Sequence, residues 1–262
     1  MARARLAQHF LADASWRERI LETLTCRPDD VWLEIGAGHG EMTRELARRA
    51  ARVVAVEADA RLVASLRALE QEAHNLQIVA GDILEQNLAQ LAGDRFKLYG
   101  NLPYYITSPI LRKVFAHADQ IEEAWLVMQL EVAARLVARP GRRAYGLLSV
   151  LTQYYFRAEI RLRLPPGAFR PRPKVASALV HLKPPGHRTS LDLADQAGLL
   201  AFVAACFAQK RKTLRNNLRA WLGAQKAEAL LKATGLAGAR AEQLELAQFA
   251  TLFREAERLR GA

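Results

Sequence analysis

Val31-Trp32-Leu33-Glu34-Ile35-Gly36-Ala37-Gly38-His39-Gly40 decides the fold of this chain. Its first five residues read as a short buried strand. Three glycines at alternate positions follow, and then a helical pattern with Met42, Leu46 and Ala50 on one face. Glycine lets a ligand approach the backbone, and the helix start behind it presents unpaired N–H groups. A dinucleotide fingerprint would need another glycine at position 41, where this chain has Glu41. Working outward, Val53–Glu57 is a second buried strand whose terminal acid is placed to accept both hydroxyls of a ribose. Leu76–Ala80 is a third, followed by Gly81-Asp82, where Asp82 can accept a hydrogen bond from an adenine amine. Singly, the glycines read as a structural strand–helix turn and each acid as a surface or cap residue. At the carboxyl ends of consecutive strands they converge on one crevice.

Asn101-Leu102-Pro103-Tyr104, directly after the strand-like run Phe96–Gly100, carries the chemistry. The amino nitrogen of adenine is a poor nucleophile because its lone pair is delocalised into the ring. The Asn101 side-chain oxygen and the Leu102 carbonyl can each accept one of its N–H bonds, which favours a tetrahedral nitrogen with an available lone pair. Pro103 fixes φ, and Tyr104 offers a π-face for stacking. Alone, such a stretch is an ordinary turn. Beside the glycine turn and its two acids it predicts amino-group methylation of a nucleobase.

With these motifs in place, the chain resembles the KsgA/RsmA family, the small-subunit (16S) ribosomal RNA adenine dimethyltransferases, from about Gln8 to the C-terminus. Gln8-His9-Phe10-Leu11, Glu34–Gly40, Val56-Glu57, Gly81-Asp82 and Gly100–Tyr104 resemble its methyltransferase motifs. The run from Phe169 through Pro171, Pro173, Lys174 and Val175 to Ser177 resembles its Phe-x-Pro-x-Pro-Lys-Val-x-Ser segment, and Lys210–Leu218 its basic C-terminal helix. The resemblance implies a Rossmann-like class I methyltransferase fold of the α/β class, with a seven-stranded, mostly parallel sheet and a small all-helical C-terminal domain. It implies S-adenosyl-L-methionine as cofactor, held by His9, Leu11, Gly36, Gly38, Glu57, Asp82 and Asn101. Tyr104 and Phe169 would sandwich a flipped adenine, with Asn101 and Leu102 at its amine. The expected reaction converts two adjacent adenosines in the 3′-terminal hairpin of 16S rRNA to N6,N6-dimethyladenosine, on an immature small subunit.

The chain departs from the family pattern at Leu6 and Ala7, where Phe and Gly are common, at His9 for a frequent Asn, and at Tyr105 for a common Asn. The 23S ribosomal RNA adenine methyltransferases of the macrolide-resistance type share the fold but typically carry Ile at position 102 and lack the two later segments. A non-catalytic RNA-binding assembly factor would be expected to have lost the acids or the tetrapeptide, and both are intact. DNA adenine methylation is the remaining alternative, with Pro common where this chain has Leu102.

At 262 residues and 51% hydrophobic content, the chain can form one large α/β domain, expected over 1–183, and a small helical domain, expected over 184–262 after Pro184-Pro185-Gly186. No apolar run is long enough to span a membrane, no signal-peptide pattern precedes Gln8, and a cytoplasmic, monomeric protein is expected. Cys26 and Cys206 are isolated, so no metal site is expected. The net charge of +11 favours a polyanionic partner. Arginine supplies most of that charge, which suits RNA and equally reflects a GC-rich genome. Lys210, Arg211, Lys212 and Arg215 are the expected RNA-phosphate contacts. Arg142 and Arg143 are either further contacts or a plain surface loop.

Further strands are expected at Phe96–Gly100 and Ala124–Met128. Ile160–Leu164 and Ala176–Leu182 would form a hairpin joined by Pro165–Lys174 and close the sheet. Leu147, Leu148, Leu151, Tyr154 and Tyr155 recur at helical spacing as core, with Tyr145 or Tyr154 as alternative RNA-facing rings.

Overall fold

A computed structural model of the chain describes residues 8–187, 190–191, 195–209 and 212–261. Two compact units divide it: residues up to 133 together with 158–184, and residues 134–157 together with 185 onward. The second unit therefore includes a segment, 134–157, that the sequence reading placed within 1–183.

In the first unit, β1 (Phe10–Leu11) and α1 (Ala14–Leu24) precede an alternation of strand and helix. It runs β2 (Val31–Ile35), α2 (Glu41–Ala47), β3 (Arg52–Glu57), α3 (Ala60–Glu72), β4 (Leu76–Ala80), α4 (Leu88–Ala92), β5 (Phe96–Asn101), α5 (Thr107–Ala116) and β6 (Ile121–Gln129). After α6 (Leu130–Leu136) and α7 (Leu147–Tyr155) come β7 (Arg157–Leu164), β8 (Phe169–Arg170) and β9 (Ser177–Lys183). The seven-stranded sheet has the order β4-β3-β2-β5-β6-β9-β7. Strands β2 to β6 pair in parallel and β9 runs antiparallel to β6. Continuous apolar runs such as Val53–Val56, almost wholly buried, are what strands covered on both faces require.

Register sets the site. Ile35 lies opposite both Val56 and Gly100, and Glu57 opposite Ala80. The residues that follow (Gly36, Glu57, Asn101 and Gly81-Asp82) therefore emerge level at the carboxyl ends of four strands. The chain leaves β2 on one side for β3 and returns to it on the other as β5, so this end is a topological switch point, where α/β sheets form ligand crevices. Because β9 is antiparallel, its first residue, Ser177, pairs with Gln129 at the same end.

The expected strands are all present. A two-stranded sheet was not anticipated: β8, inside the expected Pro165–Lys174 connection, pairs with β1, Phe10 opposite Arg170 and Leu11 opposite Phe169. Two residues are too short a run to leave a periodic signal.

Among its described residues the second unit contains α7, α8 (Gln196–Cys206), α9 (Leu214–Leu222), α10 (Ala224–Ala233) and α11 (Leu246–Gly261). Its core gathers Tyr145, Val150, Tyr154, Phe202, Phe249 and Leu252. Tyr145 is 1% exposed and donates its hydroxyl to the Leu244 carbonyl at 2.8 Å, and Tyr154 is equally buried. Both rings are core, which overturns the alternative that they face RNA. Among the described residues no helix is long and apolar enough to cross a membrane.

At the amino ends of the first unit's strands, Lys97 is nearly buried between Asp30 Oδ2 and Glu123 Oε1, each 2.9 Å from its Nζ. Glu123 Oε2 also takes His181 Nε2 at 2.9 Å, and the His181 ring stacks on Trp125. Burial alone would raise the Glu123 carboxyl, but hydrogen bonds from His181 and Lys97 outweigh it and hold the group at about 2. A carboxyl depressed in the folded state stabilises fully above its ordinary value of 4.5, and the contribution is lost as pH falls toward about 2. Thermal melts between pH 7 and 2 should show Glu123→Gln destabilised at neutral pH by on the order of 3 kcal/mol. The gap to the unsubstituted protein should close in acid; a gap independent of pH would contradict the assignment.

Candidate active site

The glycine turn after β2 is built around one carboxylate. Gly38 N–H donates to Glu57 Oε2 at 2.9 Å and Asp59 N–H to Glu57 Oε1 at 2.8 Å, so both oxygens of this buried acid are oriented by backbone donors. The backbone carbonyl of Val56 takes the Gly36 N–H at 2.8 Å, tying the turn to β3. Gly38 has φ +62°, and a side chain there would press on the Phe10 ring. Gly40 has φ +84°, and a Cβ on it would lie 2.5 Å from Leu69 Cδ1 on α3. These are two positions where only glycine fits. Behind the turn, burial pushes the Glu34 carboxyl up to about 8, so it is protonated at neutral pH and adds no charge behind Glu57.

A crevice with two compartments opens over these strand ends. One is a slot walled by Ile35, Val56, Ala58, Ile83 and Ile106, with Glu57 and Asp82 as its acids and Tyr105 as its most exposed ring. Asp82 Oδ1 accepts the Leu84 N–H at 2.9 Å, which fixes the carboxylate at the turn after β4. Apolar walls for a flat ring and carboxylates for hydroxyl and amine donors fit the adenosine half of a nucleoside cofactor. The other compartment is lined by His9, Phe10, Gly38, Asn101, Leu102 and Tyr104, and the two share Gln8, Gly36, Glu57 and Pro103.

In the second compartment the Asn101 amide is oriented. Its Nδ2 donates to the His9 carbonyl at 2.9 Å, which leaves Oδ1 as the acceptor end. Leu102 N–H donates to the Val127 carbonyl at 2.9 Å and its side chain is buried, so the residue is held by the sheet. The Tyr104 hydroxyl shares a 2.6 Å hydrogen bond with Ser177 Oγ, and its ring lies 5.1 Å from that of His9. His9 Nδ1 in turn donates to the Pro171 carbonyl at 2.6 Å. Two acceptors beside an anchored aromatic face can hold an amino-bearing base.

The structure thus brings together His9, Gly36, Gly38, Glu57, Asp82, Asn101, Leu102 and Tyr104. It does not bring Leu11 or Phe169 into the crevice. Opposite each other in the β1–β8 pair, both side chains turn into the core, Leu11 at 7% and Phe169 at 0% exposure. The Leu11 carbonyl is itself taken by Arg17 Nη1 at 2.9 Å. The neighbouring positions face the other way, so Phe10 lines the crevice in their place and packs on His39. Gln8 and Phe10 are among the lining residues that sequence reasoning missed, with Ala58, Ile83 and Ile106 of the slot; a two-residue strand left no periodic signal for Phe10. Tyr105, whose role the sequence left open, belongs to the slot.

The remaining expected RNA contacts lie in the second unit. Arg142, Arg143, Lys212 and Arg215 are exposed, and Arg215 pairs with Glu228 at 2.8 Å. Lys210 and Arg211, like Leu6 and Ala7, fall outside the described residues. Among the described residues there is no group of three or more His, Cys, Asp or Glu able to hold a metal ion.

A family model described as "Ribosomal RNA adenine dimethylase" matches residues 1–258. A "Ribosomal RNA small subunit methyltransferase A" of Koribacter versatilis is 40% identical over 268 residues, covering 97% of this chain and 94% of the relative. The crystal structure of the 23S rRNA methyltransferase ErmE superposes with a TM-score of 0.71 at 31% identity, covering 95% of this chain and 99% of that one. A dimethyladenosine transferase from Plasmodium falciparum superposes with a TM-score of 0.81 at 24% identity, covering 96% and 98%, and shares the fold.

Gly40→Ala tests the turn. Added strain and overlap with Leu69 should lower stability by about 1–3 kcal/mol. Calorimetry should record a melting temperature several degrees lower, and an unchanged one would mean that the turn tolerates a side chain.

Proposed function

Since this chain belongs to the ribosomal RNA adenine dimethylase family, we propose that its crevice transfers methyl groups from S-adenosyl-L-methionine to N6 of adenosine in ribosomal RNA, twice per target. The observation that carries this reading is the Asn101 amide, fastened to the His9 carbonyl with Oδ1 as its acceptor end at the mouth of the same crevice that holds Glu57 and Asp82.

The residues fit the cofactor: Glu57 for ribose hydroxyls, Asp82 for the adenine amine, the turn at Gly36 and Gly38 for close approach, and Tyr105 as the solvent-side wall. When bound, S-adenosylmethionine supplies a methyl group on a positive sulfur, so the electrophile is already activated. Everything else asked of the chain is alignment, which in favourable cases is worth roughly 7–11 kcal/mol. Asn101 Oδ1 and the Leu102 carbonyl accept the two amine N–H bonds and turn the lone pair outward. Tyr104 supports the plane of a base taken out of its stack. No side chain has to act as a strong base, because the amine proton becomes acidic only once the new bond exists, and water can take it. After the first methylation one N–H remains, so a single acceptor must suffice for the second.

We assign the substrate as two adjacent adenosines in the 3′-terminal hairpin of 16S rRNA, presented on an immature small subunit, to a monomeric cytoplasmic enzyme. The 40% identity to a small-subunit methyltransferase over nearly the whole chain supports this over the 23S reading, whose representative is 31% identical. So do Leu102 and the Phe169–Ser177 and Lys210–Leu218 segments. The second unit, with Arg142, Arg143, Lys212 and Arg215, would contribute sequence-independent phosphate contacts.

Asn101→Ala should cut methylation of immature small subunits by about 100-fold or more, by analogy with deleting one positioned polar group at a reacting centre. S-Adenosylhomocysteine binding should stay measurable by calorimetry. Near-normal dimethylation would show that something else positions the amine. Lys210→Ala with Arg211→Ala should weaken RNA binding and flatten its salt dependence by about one unit of slope per lost contact. An unchanged slope would move the footprint away from that segment.

A further inference from the structure

The connector between β8 and β9 is tied at both ends to walls of the acceptor compartment. Pro171, near its start, receives the His9 ring N–H at 2.6 Å. Ser177, at its end, holds the Tyr104 hydroxyl at 2.6 Å, and those two rings lie 5.1 Å apart. Between the ties, Pro173 is buried and the Ala176 carbonyl accepts the Leu130 N–H at 2.9 Å, so the segment is pinned at intervals. Two prolines restrict it further. What it leaves outward is Arg172, Lys174 and Val175, the last 46% exposed. Neither Arg172 nor Lys174 has an acidic partner among the described residues, unlike the carboxylate-paired Arg48, Arg61, Arg67 and Arg95 of the same unit. Arg172 and Lys174 share this with Arg27, Arg44, Arg112 and Arg163, and what sets them apart is the pinned strap at the acceptor compartment.

Two uncompensated cations on a pinned strap beside an acid-lined crevice call for an explanation. Glu57 and Asp82 repel a polyanion. An adenosine drawn out of its stack costs a few kcal/mol and brings its flanking phosphates to this rim. Cations fixed there stabilise the extruded nucleotide specifically, and an exposed apolar side chain next to them suits the face of a neighbouring sugar or base.

We propose that residues 171–177 form a phosphate-gripping rim, in which Arg172 and Lys174 hold the backbone on either side of the extruded adenosine and Val175 packs against the adjoining nucleotide. The proposal rests on the reading of the crevice as an adenosine-methylating site and adds an RNA contact within the unit that carries it. The rim residues are positioning groups; they touch neither the amine nor the cofactor.

The test uses the full chain and a fluorescently labelled RNA hairpin with two adjacent adenosines in its single-stranded loop. Affinity is titrated between about 50 and 200 mM salt. Arg172→Gln with Lys174→Gln should make the slope of log affinity against log salt shallower by about 1.4, two contacts at about 0.7 each for single strands. KM for the RNA should rise at least several-fold, kcat should change less, and S-adenosylhomocysteine affinity should not move. Arg172→Lys with Lys174→Arg should keep the slope, which separates charge from a folding defect. Arg48→Gln with Arg67→Gln, removing two paired cations of the same unit, should leave the slope alone. The proposal is overturned if the rim variant keeps the original slope and KM, or if the control pair flattens the slope equally. If the unsubstituted protein binds neither S-adenosylhomocysteine nor the hairpin, it is the reading of the crevice that fails.

Discussion

The donation from Asn101 Nδ2 to the His9 carbonyl is the contact on which the proposed chemistry of this crevice depends. A carboxamide has a donor end and an acceptor end, and only one of them is useful to an amino group. Committing the donor to a backbone carbonyl makes the other end an acceptor. The partner carbonyl is itself held, since His9 is fastened through its ring to Pro171 and leads into the β1–β8 pair. A segment 92 residues away in sequence thus determines which end of the Asn101 amide is left free to accept. The tetrapeptide supplies the amide, and the N-terminal strand gives it direction.

That division explains what could be read from the chain alone. Val31–Ile35 and Leu76–Ala80 end where turn residues bound them; β2 is buried almost throughout, whereas the edge strand β4 is exposed at Gln77 and Ala80. Ala124–Met128 lengthened to Ile121–Gln129 because Glu122 and Glu123 break the apolar pattern. The fold neutralises them, Glu122 with Arg95 and Glu123 with Lys97 and His181, partners no local reading can supply. The core placement of Leu11 and Phe169 went unread for a related reason. In a pair of two-residue strands, which neighbour faces the ligand follows from register, and register belongs to the partner strand. That Glu57, Asp82 and Asn101 share one end of the sheet was legible because Glu57 and Asn101 end parallel strands and Asp82 follows one by two residues, so sequence position fixes their common level.

Charge is distributed with a similar logic. The chain carries +11 overall, yet the crevice holds Glu57 and Asp82 with a protonated Glu34 behind them. Hydroxyl and amine donors are best met by carboxylates, and a sulfonium is better tolerated near negative charge than near positive. A polyanionic substrate requires the opposite sign. Both demands are compatible only if acids stay recessed at strand ends and bases stand on the surrounding surface, where salt screens them from each other. Neutralising Glu34 by burial keeps the recessed charge down to what the ligand donors require.

Tyr104 and Tyr105 show how closely the two compartments are joined. Tyr104 lines the acceptor side and Tyr105 the slot, and Pro103 belongs to both. The turn that carries them is closed by Ile106 N–H and Thr107 Oγ1, each donating to the Pro103 carbonyl, which locks it to the start of α5. Adjacent residues on such a turn cannot reorient independently, because a change in one backbone dihedral moves both rings. A ligand that packs against Tyr105 therefore also restricts the backbone from which Tyr104 projects, and a base resting on Tyr104 finds its platform already ordered.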